Sequence, residues 1–279
     1  MKKILALILM LTLSFATLTF TACGNNNDEN VLKVGMECAY QPYNWTQLDD
    51  SHGAVPIYGK PGQYANGYDV QVAKKIAESM GKTLQVHAYE WGALVNAVQA
   101  GALDMIIAGM SPTADRKEKI DFSNPYYTSN LVIVVRKDGA YANATSIADF
   151  SGAKICAQGG TFHDEVIDQI SGVIHADPLI DFPALITALK AKTIDGYIAE
   201  QPGATADSNA NSEFKYVPLI NNQTGFAIED LSNVTLAVGV QKNSTYLKTV
   251  NEVIATMSTA DQIALMEQAI TWAQALGLE

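Results

Sequence analysis

Residues 97–109, AVQAGALDMIIAG, run without gaps against residues 188–200, ALKAKTIDGYIAE. Each copy reads as the end of a helix, a turn, and a short apolar strand led by an aspartate, Asp104 or Asp195. A helix followed by a buried strand is a common unit, so a chance match is the bland reading. The other reading constrains the fold far more. One copy lies in each half of the chain, which is the pattern two similar lobes would give. In this register Gly109 pairs with Glu200. Both then stand at carboxyl ends of strands, where open α/β sheets bind ligands. Glu200 closes an otherwise apolar run, and Pro202 follows, so the strand cannot continue as a central one. An unpaired carboxylate is costly to bury, and Glu200 is therefore expected to meet water or a cation.

Strand and helix signals alternate around this repeat. VLKVGMECA, TLQVHAY, LDMIIA, NLVIVV, AKICA, GVIHA and IDGYIA read as strands. Between them fall a helix capped by Asp69, with Val70, Ala73, Ile76, Ala77 and Met80 on one face and Gly81 closing it, and a second, WGALVNAVQA, stopped at Gly101. Further helices are expected after Gly160, over Ala184–Ala191, and at Tyr246–Met257 and Ala260–Leu276. The pattern predicts an α/β fold with parallel sheets.

The N-terminus sets the compartment. Met1-Lys2-Lys3 is a short basic stretch, Ile4–Phe20 is uncharged and apolar, and FTAC ends at Cys23. This reads as a secretory signal, with cleavage nearby as in an ordinary signal peptide as the plain alternative. The segment resembles a bacterial lipoprotein signal. That resemblance implies a signal peptide over 1–22, lipidation of Cys23, and a polar tether over 23–30. The protein would then sit on the outer face of the cell membrane, held by its lipid alone. The formal charge of −11 argues against nucleic acid and against basic patches for anionic lipid. Beyond Cys23 only Cys38 and Cys156 remain, either as two buried thiols or as one long-range bridge. His52, His87, His163 and His175 show no metal spacing, so neither metal nor cofactor is expected. No nucleophile-elbow or nucleotide motif is present either.

Two stretches carry candidate chemistry. After Gly109 comes MSPTADRKEKIDFSNPYY, in which Ser111 can cap a short helix and Pro112 suits its first position. Free N–H groups there favour an anion, and Arg116 can hold a carboxylate with two parallel bonds. The alternative is a capped surface helix with a solvated arginine. AQGGTFHDEV opens a second such element at Gly159-Gly160-Thr161. Tyr40, Tyr43, Trp45 and Trp91 gather near strand ends, some of them as ordinary core.

Taken together, GMECAYQPY, GYDVQVAKKIAESMG, the run from Tyr89 to Tyr127, AQGGT and IDGYIAEQP resemble the polar amino-acid binding proteins of ABC importers. The resemblance implies a type II periplasmic-binding-protein-like fold. Two mainly parallel α/β lobes, 31–132 with 236–279 and 133–235, would be joined by two hinge strands and close over one amino acid. It puts Tyr40 and Trp91 against the two faces of the ligand side chain, and Gly109, Ser111 and Arg116 at the α-carboxylate with Thr161 helping from the second lobe; Met110 and Phe162 are counted with them as ligand-binding residues. Glu200 falls where the family has an acid for the α-ammonium, and Glu37 where many members have an acid near the ligand side chain, a lean towards a basic or polar ligand. Phe162 departs from a frequently polar position, and the connection Thr46–Asn66 is longer than usual. Implied partners are a membrane permease with its cytoplasmic ATPase, and the chain is expected to be a monomer without enzymatic activity. A dehydratase-type enzyme on the same fold, a ligand sensor and an adhesive surface lipoprotein are the competing readings.

Overall fold

The computed structural model describes residues 30–277; the expected signal over 1–22, Cys23 and nearly all of the expected tether lie outside them. Two five-stranded sheets organise the chain. The first runs in the order Thr83–Ala88, Val31–Met36, Met105–Ile106, Thr235–Val240, Asp121–Thr128. The second runs Ile174–His175, Lys154–Cys156, Gly196–Glu200, Leu131–Arg136, Phe214–Val217. In each sheet a single strand opposes the others: Thr235–Val240 in the first and Leu131–Arg136 in the second. These are the strands on which the chain arrives from the other lobe. The fold is thus two-lobed, with mainly parallel sheets.

The repeat read from sequence is a structural one. Met105–Ile106 and Gly196–Glu200 hold the same third place in the two sheet orders. Asp104 accepts the Lys33 N–H at 2.7 Å, and Asp195 accepts the Lys154 N–H at 2.9 Å, each aspartate clamping the neighbouring strand. The preceding helices end alike, with left-handed residues at Gly101 (φ 72°) and Lys192 (φ 60°). At this position glycine is unstrained, whereas lysine must be held there by its surroundings.

Local corrections have physical causes. The first helix is Tyr68–Ser79 and starts from Gly67, not Asp69. The Asp69 carboxylate is unavailable as a cap because it is buried and already accepts from Tyr126 Oη (2.7 Å) and Asn44 Nδ2 (2.8 Å). The helix carrying Arg116 is Ala114–Lys119 with Thr113, not Ser111, before it. The Thr113 carbonyl accepts the Lys117 N–H at 2.9 Å and closes the first turn, while the Ser111 carbonyl accepts from Arg116 Nη1 at 2.7 Å and from the Thr113 N–H at 3.0 Å. The final helices are Tyr246–Ala255 and Thr259–Ala275, the latter opened by a capping box between Ser258 and Asp261. It packs on Tyr68–Ser79 and also on Gln201–Ala210.

The long connection Thr46–Asn66 is folded. Asn44–Gln47, Tyr64–Asn66 and Val55–Pro56 form an antiparallel sheet with Ala39–Tyr40. His52 stacks on Trp272 at 5.2 Å, and Lys74 Nζ donates to the Gly53 carbonyl at 2.9 Å. The insert therefore braces the segment that carries Tyr40. Cys38 and Cys156 are buried, unbridged thiols.

Candidate ligand-binding site

The site lies between the carboxyl ends of equivalent strands of the two lobes. From the first lobe come Glu37 and Tyr40, just past Val31–Met36, and Gly109, just past Met105–Ile106. Gly109 adopts φ 61° and packs against the Tyr40 ring. Its N–H donates to Tyr126 Oη at 3.2 Å, which donates in turn to Asp69. Asn44 bridges Asp69 to the Cys38 N–H, accepting the latter at 2.7 Å. One buried polar network thus fixes both first-lobe loops. Burial pushes the Asp69 carboxyl up to about 6 against these hydrogen bonds.

Arg116 and Trp91 form the outer wall. The guanidinium lies over the indole at 4.8 Å, and Arg116 Nη2 (2.9 Å) and Trp91 Nε1 (3.1 Å) both donate to the Gly160 carbonyl of the second lobe. Burial lowers the Arg116 value to about 10, so the guanidinium stays charged at neutral pH. Gly160 takes φ 69° at the Gly159-Gly160-Thr161 turn. The Thr161 hydroxyl donates to the Gln158 carbonyl at 2.7 Å.

Glu200 is 3 % exposed at the end of its strand. Its Oε2 accepts from the Tyr40 hydroxyl and lies 3.1 Å from His163 Nε2. Burial would raise its pKa, but His163 and Tyr40 outweigh burial and hold the carboxyl below its ordinary value. Phe182 stacks on Tyr40 at 3.9 Å and 13°. Gln158 Nε2 donates to Glu37 Oε1 at 2.8 Å, and burial, aided by Asp181, pushes Glu37 up to about 7. The lobes meet across the cleft through these contacts, leaving a cavity of about 20 Å³ among them.

Of the residues singled out from sequence, Glu37, Tyr40, Trp91, Gly109, Ser111, Arg116, Thr161, Phe162 and Glu200 line this cavity. Met110 does not. It is 1 % exposed, its carbonyl accepts the Ala237 N–H at 3.0 Å, and it borders a separate groove outside Trp91 and Arg116. Tyr43 and Trp45 are core. Gln158, His163 and Phe182 also line the site and were not singled out. Gln158 had a signal, because its distance from Glu37 equals that of Lys154 from Lys33. His163 lay two residues beyond Thr161, but its partner is distant in sequence.

A cation and a carboxylate reached from opposite lobes, flanked by aromatic faces, make this a solute-binding cleft. The description of bacterial extracellular solute-binding proteins, family 3, matches residues 32–269, and the chain belongs to that family. The arginine-binding extracellular protein ArtP of Bacillus subtilis is 30% identical over 176 residues, 61% of this chain and 61% of that protein. A probable histidine-binding protein of Campylobacter jejuni is 29% identical over 224 residues, 76% of this chain and 79% of its own. Among solved structures, an amino acid ABC transporter substrate-binding protein of Streptococcus pneumoniae bound to L-arginine superposes with a TM-score of 0.72 at 23% identity, covering 90% of this chain and 98% of that one. The substrate-binding protein of another amino acid ABC transporter gives 0.68 at 27% identity, with 85% and 98% covered.

Proposed function

We propose that the chain captures a free amino acid, basic or polar, in the inter-lobe cleft and delivers it to an ABC permease driven by a cytoplasmic ATPase. The observation that carries this is the division of charge, with Arg116 on one lobe and Glu200 on the other lining one cavity. A zwitterion supplies both counter-charges. Its carboxylate would replace the Gly160 carbonyl at Arg116, helped by Gly109, Ser111 and Thr161. Its ammonium would meet Glu200. Tyr40 and Trp91 would cover the side chain, with Phe162 at the edge, and Glu37 would face its far end. Contacts made only when the lobes close let ligand favour closure.

Charge-assisted bonds contribute roughly 1.5–3 kcal/mol each, so several of them beside aromatic packing account for micromolar binding, about −8 kcal/mol. The names of relatives support an amino acid: they bind arginine, histidine and cystine. In this reading 31–132 with 236–279 forms one lobe and 133–235 the other. The protein works as a monomer without turnover, held outside the cell membrane through lipid on Cys23. Thermal-shift screening against the twenty amino acids, ornithine and cystine, followed by calorimetry, tests it. A shift with a basic or polar amino acid is expected, and no shift with any of them would overturn the assignment.

A further inference from the structure

His163 makes one contact at the expense of another. Its side chain is 11% exposed on the short helix Phe162–Glu165, with Nε2 3.1 Å from Glu200 Oε2. Nδ1 is buried and has no hydrogen-bond partner among the described residues. A ring nitrogen left unpaired in the interior is unfavourable, so the ring's orientation serves the Nε2 contact. Phe182 braces that orientation. It meets His163 edge-on (6.3 Å, 87°) while stacking on Tyr40 (3.9 Å, 13°). A single aromatic ring thereby supports both donors to one carboxylate oxygen.

We propose that His163 is a positioning residue of the cation subsite: with Tyr40 it pins Glu200 Oε2 and keeps the buried carboxylate ionised and oriented for the ligand's ammonium. This rests on the amino-acid reading of the cleft, but its core, the state of Glu200, does not require ligand. The other groups that face Glu200 do not replace His163. Tyr43 is a neutral phenol, Asp69 on Tyr68–Ser79 opposes ionisation, and Arg116 on Ala114–Lys119 acts only at a distance. Glu37 borders the same cavity with a like charge, and Asp207 faces Tyr40 from the helix behind. Without the imidazole, burial dominates and Glu200 takes up a proton at higher pH. Affinity for an ammonium ligand then falls as pH falls.

Two readouts on His163→Ala and His163→Gln test this. The carboxyl carbon resonance of Glu200, assigned by its loss in Glu200→Gln, is titrated in ligand-free protein. It should titrate below the ordinary glutamate range in wild type, and at least one pH unit higher in His163→Ala, about a tenfold change in proton affinity. His163→Gln retains an uncharged N–H donor and should restore part of the difference, because charge attraction to His163 lowers the Glu200 value more than its hydrogen bond does. Calorimetry with the amino acid found by screening should show His163→Ala about tenfold weaker than wild type at pH 8 and weaker by a further roughly twofold or more at pH 5.5, each compared with wild type at the same pH, with His163→Gln between the two. An unchanged Glu200 titration in His163→Ala overturns the proposal, as does an affinity loss equal at every pH, which a purely structural role would give. If no amino acid binds, the carbon titration alone decides the role of His163, and only the amino-acid reading fails.

Discussion

Glu37 and Gln158 stand at equivalent positions of the two lobes and are hydrogen-bonded to each other across the cleft, at 2.8 Å. The equivalence follows from register. Gly35 pairs with Ile106 as Cys156 pairs with Tyr197, and Ile106 matches Tyr197 in the repeat. The chain two residues beyond each central strand thus supplies one half of an inter-lobe contact. A carboxylate on one side and an amide on the other make the pair complementary, where two carboxylates would repel.

The Glu37 carboxyl, pushed up to about 7 by burial, predicts a pH-dependent ligand preference. Below that value Glu37 is largely neutral in the closed protein and attracts no cation. Above it, the carboxylate favours a cationic side chain. Affinity for a basic amino acid should therefore rise about tenfold between pH 6 and pH 8, while Glu37→Gln should bind it more weakly and without that slope. Calorimetry across this range checks both, with a neutral amino acid as the flat control.

Arg116 is bound to two carbonyls, those of Ser111 and Gly160, and stacked on Trp91. Arg116→Ala should weaken ligand binding by about 100-fold or more, since two charge-assisted bonds of roughly 1.5–3 kcal/mol each are removed. Arg116→Lys should restore little, because an ammonium cannot hold a carboxylate with two parallel bonds. Unfolding by heat should be nearly unchanged in both, given that the side chain lies at the cleft rather than in the core. Retained affinity would show that the carboxylate is held elsewhere.

Much of this was legible in the chain. The repeat located two lobes because helix end, turn and clamped strand recur with the same aspartate. It also brought Gly109 and Glu200 to one cleft. What stayed hidden depends on contacts distant in sequence. Glu200 and Tyr40 are separated by 160 residues, and nothing local marks Phe182 as the ring between Tyr40 and His163. Asp69 misled for a similar reason: at a helix start it looks like a cap, yet the fold turns it inward to Asn44 and Tyr126. Met110, which the resemblance put among the ligand-binding residues, stands outside the cavity lining, and its carbonyl accepts from the strand Thr235–Val240.

Asp207 gives a stability prediction independent of ligand. It is 6 % exposed, its carboxylate's one side-chain partner among the described residues is Tyr197 Oη at 2.6 Å, and burial pushes it up to about 7. A carboxyl whose folded value exceeds its unfolded value stabilises the fold below the unfolded value. That stability is lost as pH rises through the folded value. Asp207→Asn keeps an acceptor for Tyr197 and cannot ionise. Urea unfolding should find it within about 0.5 kcal/mol of wild type at pH 4, and more stable by about 1–3 kcal/mol at pH 8. A difference independent of pH would place the effect in packing.

Gly67 ties backbone strain to the geometry of the site. It adopts φ 126° at the start of Tyr68–Ser79, and a Cβ there would overlap the Tyr43 carbonyl. That carbonyl accepts the Asp69 N–H at 2.8 Å, and the Pro42 carbonyl accepts the Tyr68 N–H at 3.0 Å, so the loop after Tyr40 caps the helix. Gly67→Ala must displace either the helix start or the loop, since both colliding groups are backbone. The expected cost is about 3 kcal/mol or more, read as a lower urea midpoint with an unchanged slope. Because Asn44 and Asp69 move with those elements, the support for Gly109 is also disturbed. Ligand affinity should fall as well, although Gly67 does not line the cavity. Lost stability with intact affinity would show that the buried network tolerates the shift.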